Sequence, residues 1–173
     1  MDLKEKLRHV MNFPKEGIDF IDITTILQDA EAYKAALDMM KDKVKNFGEF
    51  DLFAASESRG FLFGAPLAYS LGKGLVPIRK KGKLPYKTIQ VEYDLEYGSG
   101  FLEMHEDAVK PGQRVVIVDD LLATGGTMEA NIKLIRQLGG EVAGILFFVE
   151  LSFLKGREKL KEYNIESIVK FEN

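Results

Sequence analysis

The sequence predicts an α/β protein in which helices flank a mainly parallel central sheet. Five short apolar stretches, rich in β-branched and aromatic residues, have the composition of strands buried on both faces: 51–55, 75–78, 114–118, 142–149 and 166–171. Stretches with helical periodicity separate them, at 61–72, 127–138 and 154–163. Strands that alternate with helices imply crossover connections and parallel pairing. The length of 173 residues predicts a single domain, 1–173.

Two amphipathic helices are predicted ahead of the first strand. Residues 2–11 place four apolar side chains on one helical face: Leu3, Leu7, Val10 and Met11. Residues 29–47 carry a longer apolar stripe, and Gly48 supplies a C-terminal stop. We expect this second helix to cover one face of the sheet.

The stretch 79–105 interrupts the alternation of strands and helices. It has no helical period and contains turn-forming glycine and proline, and its portion YDLEYGSGFLEMH predicts a β-hairpin. We expect a lid over 80–104, since mobile connections often close over bound reactants. A hairpin that is merely exposed is the alternative.

Composition and charge exclude several classes of protein. The absence of cysteine excludes a disulfide scaffold and a thiolate metal site, and His9 and His105 fit no zinc spacing. The net charge of -3 argues against a nucleic-acid binder. A charged amino terminus and the lack of any apolar run of roughly 20 residues argue against a secretory signal and a membrane span, so we expect a cytoplasmic location.

The stretch VVIVDDLLATGGT, at 115–127, places two carboxylates where a buried strand ends. Ligands of open parallel sheets bind outside the carboxyl ends of the strands, which is where Asp119 and Asp120 are expected. The glycines and threonines that follow lead into a helix, and free amides at a helix amino terminus form an anion pocket. This pattern predicts a phosphate site beside a carboxylate pair.

The ordinary interpretation is that Asp120 ends the strand and Thr127 caps the helix. A cap requires one Asp or Thr and no glycine pair, however. The GK[ST] of a P-loop and the GxGxxG of a dinucleotide site are both absent. Carboxylates repel a phosphate, but they accept hydrogen bonds from sugar hydroxyls or bind hydrated Mg²⁺. A phosphorylated sugar satisfies both halves of the pattern.

Two further stretches are candidates for anion binding. Arg59 follows a strand within SESRG, where a guanidinium and backbone amides could hold a second anion, although an ordinary surface arginine is the alternative. The run RKKGKLPYK, at 79–87, carries five basic residues and no acid. Such runs are usually a solvated face, but in an acidic protein this one suits a diphosphate. Phe13 and Phe20 flank an irregular segment, where aromatic residues usually belong to the core.

The stretch at 115–127 closely resembles the signature of the type I phosphoribosyltransferases, which binds 5-phosphoribosyl pyrophosphate (PRPP). Five further motifs resemble the members of that family that act on adenine: FPKEGIDFIDITTIL, ESRGFLFGAPLA, RKKGKLP, YDLEYG and VELSFLKGREKL. They occur in order over nearly the whole chain. The resemblance implies the type I phosphoribosyltransferase fold with a flexible lid hairpin.

The resemblance also implies a role for each site. The 5-phosphate would lie against Ala123, Thr124, Gly125, Gly126 and Thr127. The ribose hydroxyls would face Asp119 and Asp120. Pyrophosphate would contact Glu57, Ser58, Arg59, Gly60, Arg79, Lys80 and Lys83, with a cis peptide between the first two. Adenine would contact Asp19, Phe20 and Ile21, within a base-recognition segment 1–28. Catalysis would involve Glu96, Tyr97 and Arg59; whether Glu96 transfers a proton or only orients the base is open.

The implied reaction converts PRPP and adenine to AMP and pyrophosphate. Mg²⁺ would be held mainly by PRPP and water, with Asp119 or Asp120 contributing indirectly. A homodimer is implied, with Arg79 reaching the pyrophosphate across the interface, and no nucleic acid or membrane is involved. Another purine base (hypoxanthine, guanine or xanthine) and a non-enzymatic PRPP-binding regulator are the alternatives.

Overall fold

The computed structural model describes residues 1–94 and 98–173, and one central sheet organises them. The strands, in chain order, are β1 (Arg8–Met11), β2 (Asp19–Asp22), β3 (Leu52–Ser56), β4 (Gly74–Lys80), β5 (Thr88–Asp94), β6 (Ser99–His105), β7 (Arg114–Leu122), β8 (Glu141–Leu151) and β9 (Ile165–Phe171). The helices are α1 (Leu3–Lys6), α2 (Thr24–Leu27), α3 (Ala30–Val44), α4 (Phe61–Leu71), α5 (Gly126–Gln137) and α6 (Gly156–Lys159). Short 3-10 turns occupy Lys45–Phe47 and Ser152–Leu154.

The sheet has seven strands in the order β5-β6-β4-β3-β7-β8-β9. The strands β4, β3, β7, β8 and β9 pair in parallel. The strands β6 and β5 add an antiparallel edge next to β4. The predicted fold class is therefore confirmed. Pairing of β7 with β8 continues to Leu122, opposite Glu150, so β7 is longer than predicted. As a result, Asp119 and Asp120 lie in the last part of the strand rather than behind it.

The two faces of the sheet bury separate apolar cores. One core joins α3 and α4 to the sheet through side chains such as Met40 and Phe63. The other joins α5 and the β5-β6 hairpin to the opposite face. Successive residues of β7 contribute alternately to the two cores, with Val116 in the first and Ile117 in the second. This alternation explains why β7 is apolar without interruption.

The amino-terminal prediction is wrong beyond the first turn. The helix α1 ends at Lys6, and the chain then forms β1, which pairs antiparallel with β2. Leu3 and Leu7 are buried as predicted, but Met11 is 64% exposed. The apolar spacing of 2–11 fits a helix, but residues 8–11 pair instead with β2, the next strand along the chain. Strand pairing therefore overrides the local helical periodicity.

The predicted hairpin is present, and its base belongs to the core. Its strands are β5 and β6, so the first strand begins at Thr88, earlier than the stretch 93–105 indicated. Val91, Leu102 and Met104 are buried against the α5 side of the sheet. These contacts fix the hairpin base to the sheet.

The predicted helix at 154–163 is reduced to the single turn α6. Lys155 adopts a left-handed backbone with φ of 56°, which breaks the helical path just before α6 begins. Among the helices in the described ranges, none has the length and apolar composition that crossing a bilayer requires.

Candidate active site

A cavity of about 490 Å³ opens at the carboxyl edge of β3 and β7. It is lined by 57–59, 119–128 and Phe147. Loops at the carboxyl ends of neighbouring parallel strands meet at one edge of a sheet, which is why segments about 60 residues apart share this cavity. The predicted phosphate loop, the predicted pyrophosphate loop and the carboxylate pair are therefore brought together.

The phosphate loop, 123–127, leads directly into α5. Gly125 has φ of 90°, a backbone region that suits glycine, and α5 begins at Gly126. Within the described residues no side chain caps this helix. The capping interpretation of Asp120 and Thr127 is therefore wrong. The amides of the first turn lack a side-chain acceptor beside an open cavity, an arrangement that suits an anionic ligand.

The pyrophosphate loop, 57–60, connects β3 to α4. The peptide between Glu57 and Ser58 is cis, as the family resemblance implied. A Cβ on Gly60 would lie 2.7 Å from the Ser56 carbonyl oxygen and 2.9 Å from Asp119 Oδ1. Only glycine therefore allows this loop to lie against the end of its own strand and the neighbouring carboxylate.

The two aspartates occupy different electrostatic environments. Burial, and then the neighbouring charge of Asp120, raise the pKa of Asp119 well above its ordinary value. Burial also raises the pKa of Asp120, but the Arg59 guanidinium opposes that shift, with its Nε 2.7 Å from Asp120 Oδ2. The Asp120 N–H donates to Asp119 Oδ1 at 2.9 Å. Asp120 is thus the charged partner of Arg59, and Asp119 is the carboxyl that burial disfavours as an anion.

Arg59 connects the cavity to the predicted base-recognition segment. Its guanidinium carbon lies 5.5 Å from the centroid of the Phe20 ring, and that ring meets Phe13 edge-on at 5.2 Å. Phe20 belongs to β2, so the expectation of an irregular segment was wrong at this position. The Asp19 carboxylate lies 2.6 Å from His9 Nδ1, and Ile21 is buried. Of the three predicted adenine residues, Phe20 is therefore the one whose side chain approaches Arg59.

The basic segment, 79–83, is attached to the pyrophosphate loop through Glu57. Lys83 Nζ lies 2.9 Å from Glu57 Oε2, the Lys80 N–H donates to Oε1 at 2.5 Å, and Arg79 Nε is 3.5 Å away. Burial raises the pKa of Glu57, but the hydrogen bonds from Lys83 and Lys80 and the charges of Lys83 and Arg79 outweigh it and hold the pKa below its ordinary value. Glu57 lines the cavity, whereas the described basic side chains of this segment do not. The Glu57 carboxylate therefore binds cations of its own chain.

The predicted catalytic residues Glu96 and Tyr97 lie outside the described residues. The strands that lead toward them end at Asp94 on one side and begin at Ser99 on the other.

Several residues that support the site have no assigned role in the sequence-based prediction. Asn131 is fully buried in α5, and its amide donates to the Ser56 hydroxyl at the end of β3. Its carbonyl oxygen has no hydrogen-bond partner among the described residues. The sequence contained one indication of this role, since Asn131 is a polar residue on the apolar face of a predicted helix. Glu150 and Arg157 lie in VELSFLKGREKL, a motif that carried the resemblance but no function.

The donor set suits a magnesium ion that arrives with its ligand. Across 1–94 and 98–173, no group of three or more His, Asp or Glu side chains could enclose a metal ion. Asp119 and Asp120 are nevertheless hard oxygen donors on the cavity wall. Mg²⁺ commonly keeps several waters and binds through substrate phosphates with one or two carboxylates. The cavity therefore fits Mg²⁺ held mainly by a diphosphate.

Comparison with known proteins agrees with the geometry. Residues 22–172 match the family model of the phosphoribosyl transferase domain. The chain is 73% identical over 171 residues to the adenine phosphoribosyltransferase of Acetivibrio thermocellus, covering 99% of this chain and 100% of that protein.

Solved structures give the same result. The adenine phosphoribosyltransferase of Thermoanaerobacter pseudethanolicus is 56% identical, with a TM-score of 0.94 and 98% coverage of both chains. The Saccharomyces cerevisiae adenine phosphoribosyltransferase, solved with an imino-altritol bisphosphate and adenine, is 39% identical, with a TM-score of 0.89 and 96% coverage of both chains. The chain described here therefore belongs to the adenine phosphoribosyltransferase family.

Proposed function

We propose that the protein transfers the 5-phosphoribosyl group from PRPP to N9 of adenine, giving AMP and pyrophosphate. One observation carries the proposal: a single cavity joins two anion-binding loops through a carboxylate pair and reaches an aromatic ring through Arg59. PRPP has the matching arrangement, with a phosphate at one end, a diphosphate at the other and two hydroxyls between them. The Saccharomyces relative binds adenine together with a bisphosphate.

The phosphate loop holds the 5-phosphate. The free amides of the first turn of α5 donate to its oxygens, and the hydroxyls of Thr124 and Thr127 add further donors. Each charge-assisted hydrogen bond contributes about 1.5–3 kcal/mol. Asp119 and Asp120 accept hydrogen bonds from the ribose hydroxyls, which fixes the sugar between the two anion loops.

Bond exchange takes place at C1 of the ribose. Adenine N9 forms a bond to C1 as the bond from C1 to the diphosphate oxygen breaks. The bonding electron pair leaves with the diphosphate, and the N9 proton passes to the diphosphate or to water. Positive charge develops on the sugar, and negative charge develops on the diphosphate. Arg59 and the amides of 58–60 face the departing diphosphate, and charge stabilisation of this kind is commonly the largest catalytic contribution. Mg²⁺, when bound, supplies further neutralisation of the diphosphate.

Base recognition is assigned to β2. Phe20 stacks on adenine, and the main chain of Asp19 and Ile21 reads its edge, which is compatible with side chains that are engaged elsewhere. Glu96 and Tyr97, which lie outside the described residues, are assigned the catalytic role that the family resemblance implies, with Glu96 orienting the purine or exchanging its proton. A cytoplasmic location is part of the same proposal.

A homodimer completes the pyrophosphate site. Arg79, Lys80 and Lys83 do not line the cavity of their own chain within the described ranges, which supports the proposal that this segment serves a partner's site. The outer face of α4 offers an apolar contact surface, with Leu62 41% exposed and Tyr69 90% exposed. We propose that this face packs against a second copy.

Pyrophosphate release tests the proposed reaction. PRPP with adenine and Mg²⁺ should release pyrophosphate, whereas omission of Mg²⁺ should reduce the rate strongly. Replacement of Asp119 and Asp120 together by Asn should abolish turnover and leave the far-ultraviolet circular dichroism spectrum unchanged.

Three outcomes would change the proposal. Faster turnover with hypoxanthine, guanine or xanthine would assign a different base. Turnover at a near-normal rate in the double variant would remove the aspartates from the mechanism. PRPP binding without turnover of any purine would favour the regulatory alternative.

A further inference from the structure

A buried ionic cluster lies behind the phosphate loop, outside the cavity. Glu150, at the end of β8, is 3% exposed. Its carboxylate accepts from Arg157 Nε at 2.7 Å and from the Ser167 hydroxyl at 2.5 Å. Burial raises the pKa of Glu150, but these donors outweigh it and keep the pKa below its ordinary value. The cluster is therefore ionised and internally paired.

Each of the three guanidinium nitrogens of Arg157 donates a hydrogen bond in this cluster. Beyond the bond to Glu150, its terminal nitrogens donate to the Ile165 carbonyl at 3.1 Å and to the Ser167 hydroxyl at 3.2 Å. These contacts join α6 to both β8 and β9. The planar fork of arginine suits such a set of acceptors, and lysine could not reproduce it.

Gly156, the residue before Arg157, lies directly against the phosphate loop. A Cβ on Gly156 would lie 2.4 Å from the Ala123 carbonyl oxygen, and a Cβ on Gly125 would lie 3.0 Å from the Gly156 carbonyl oxygen. Backbone therefore packs on backbone, with the Leu122 side chain alongside, its Cδ1 2.9 Å from the Cβ position on Gly156. The position of Gly156 sets the space available to the loop.

We infer that Arg157, held by Glu150 and Ser167, is a positioning residue that fixes the phosphate loop in its anion-binding conformation through Gly156. The loop needs such support for two reasons. Gly125 has a positive φ, and glycine can readily adopt other backbone conformations. In addition, no described side chain caps α5. The inference rests on the proposed function, since it assigns the supported loop to the 5-phosphate. Arg157 does not line the cavity, so it acts without touching the ligand.

Separate binding measurements with the two halves of PRPP distinguish a positioning role of Arg157 from a general effect on stability. Ribose 5-phosphate probes the phosphate loop, and pyrophosphate with Mg²⁺ probes the other loop. We expect Arg157→Lys and Arg157→Met to weaken ribose 5-phosphate binding about tenfold or more, equivalent to about 1.4 kcal/mol, while pyrophosphate affinity stays within about twofold. In turnover, KM for PRPP should increase far more than KM for adenine. Calorimetric titration and steady-state kinetics measure these changes.

Gly156→Ala gives an independent test that leaves the ionic cluster intact. Its added methyl group meets the Ala123 carbonyl, so the same selective loss of ribose 5-phosphate binding is expected even where an Arg157 variant folds poorly. Lys43→Met is the matched control, because it removes the ion pair to Glu166 on β9, at 3.2 Å, away from the loop. It should leave both affinities unchanged.

The outcomes are distinct. Equal loss of both ligands in the Arg157 and Gly156 variants, or loss of neither, would overturn the inference. Failure of the wild type to form AMP, with ribose 5-phosphate still bound and selectively weakened in the variants, would overturn the proposed reaction and leave the positioning role intact.

Discussion

Burial of the Asp119 carboxylate at the cavity lowers the stability of the folded protein. Its pKa in the folded protein is raised above the ordinary value by burial and by Asp120. As pH increases through that ordinary value, the unfolded chain releases its proton before the folded protein does. The free energy of unfolding therefore falls with increasing pH until the folded-state pKa is passed. A neutral residue of the same shape avoids this loss.

We expect Asp119→Asn to stabilise the ligand-free protein. The gain should be small near pH 4 and should increase toward pH 8, where it reaches the order of 1 kcal/mol. The Asn oxygen can still accept the Asp120 N–H, so the hydrogen bond is kept. Urea denaturation at both pH values measures the change. Asp38→Asn, at an exposed pair with Lys34, is the control and should show little effect. Destabilisation of Asp119→Asn at pH 8 would contradict the argument.

Residues that line the cavity could be predicted from the sequence more readily than residues that support them. Asp119 and Asp120 stand in the last part of β7 and Arg59 just after β3, each in a recognisable run, so their place at the cavity could be predicted. Asn131 could not, because its role depends on meeting Ser56 from a distant strand, and one polar residue in a helix does not reveal its partner. Arg157 is a similar case.

The connection between β3 and α4 shows how one short segment serves both the site and the core. Gly60 lies against the Ser56 carbonyl and Asp119, whereas Gly64, one turn later, lies against the side chains of Ala55 and Leu75. At both positions a Cβ atom would be too close to a neighbouring group. At Gly60 that group belongs to the site, and at Gly64 it belongs to the core. Their substitutions should therefore have different consequences.

We expect Gly60→Ala to weaken pyrophosphate binding about tenfold or more, since the added methyl group displaces the loop that bears the amides. Gly64→Ala is the matched control, with its Cβ 2.8 Å from the Ala55 Cβ. Overpacking there should lower the free energy of unfolding by about 1–3 kcal/mol without a selective loss of pyrophosphate affinity. Calorimetry and chemical denaturation separate the two effects. A larger loss of pyrophosphate affinity in Gly64→Ala than in Gly60→Ala would contradict this account.

Long buried elements could be predicted from local sequence, and short exposed ones could not. The five central strands and α3 have continuous or strongly periodic apolar patterns, and each is present. The β1-β2 pair was missed because four-residue strands have too few positions to establish a period, and their pairing joins segments separated by a turn. The turn contains Asn12 at φ of 59° and a cis Phe13-Pro14 peptide, neither of which periodicity reveals.

At the scale of the whole molecule, the position of the basic segment bears on assembly. Arg79 and Lys83 contact Glu57 of their own chain, on the loop that faces its own cavity. In the proposed dimer, the same segment extends to the partner's pyrophosphate. Glu57 would then connect the two sites of the dimer, because it lines one cavity and holds the Arg79 and Lys83 side chains that would serve the other.

Subunit mixing tests the shared site. The Asp119→Asn, Asp120→Asn double variant and Arg79→Ala should each be nearly inactive alone. Randomly mixed and refolded together, they should recover about a quarter of wild-type activity, because about half of the dimers are mixed and one of their two sites is intact.

Light scattering on the same samples provides the control for assembly. Dimers without recovered activity would place Arg79 in its own chain's site, and monomers would remove the interface from the proposal. Neither result would alter the roles of the two aspartates.

No side chain within the described ranges caps the amino terminus of α5, and this has a consequence for how long the enzyme stays folded. In the proposed function, a phosphorylated ligand would supply hydrogen-bond acceptors to the free amides there, so binding would stabilise the first turn of the helix. Ligand that binds only the native state raises the melting temperature in proportion to the logarithm of its concentration. The supply of sugar phosphate in the cell would thereby govern how long each molecule survives heat and proteolysis.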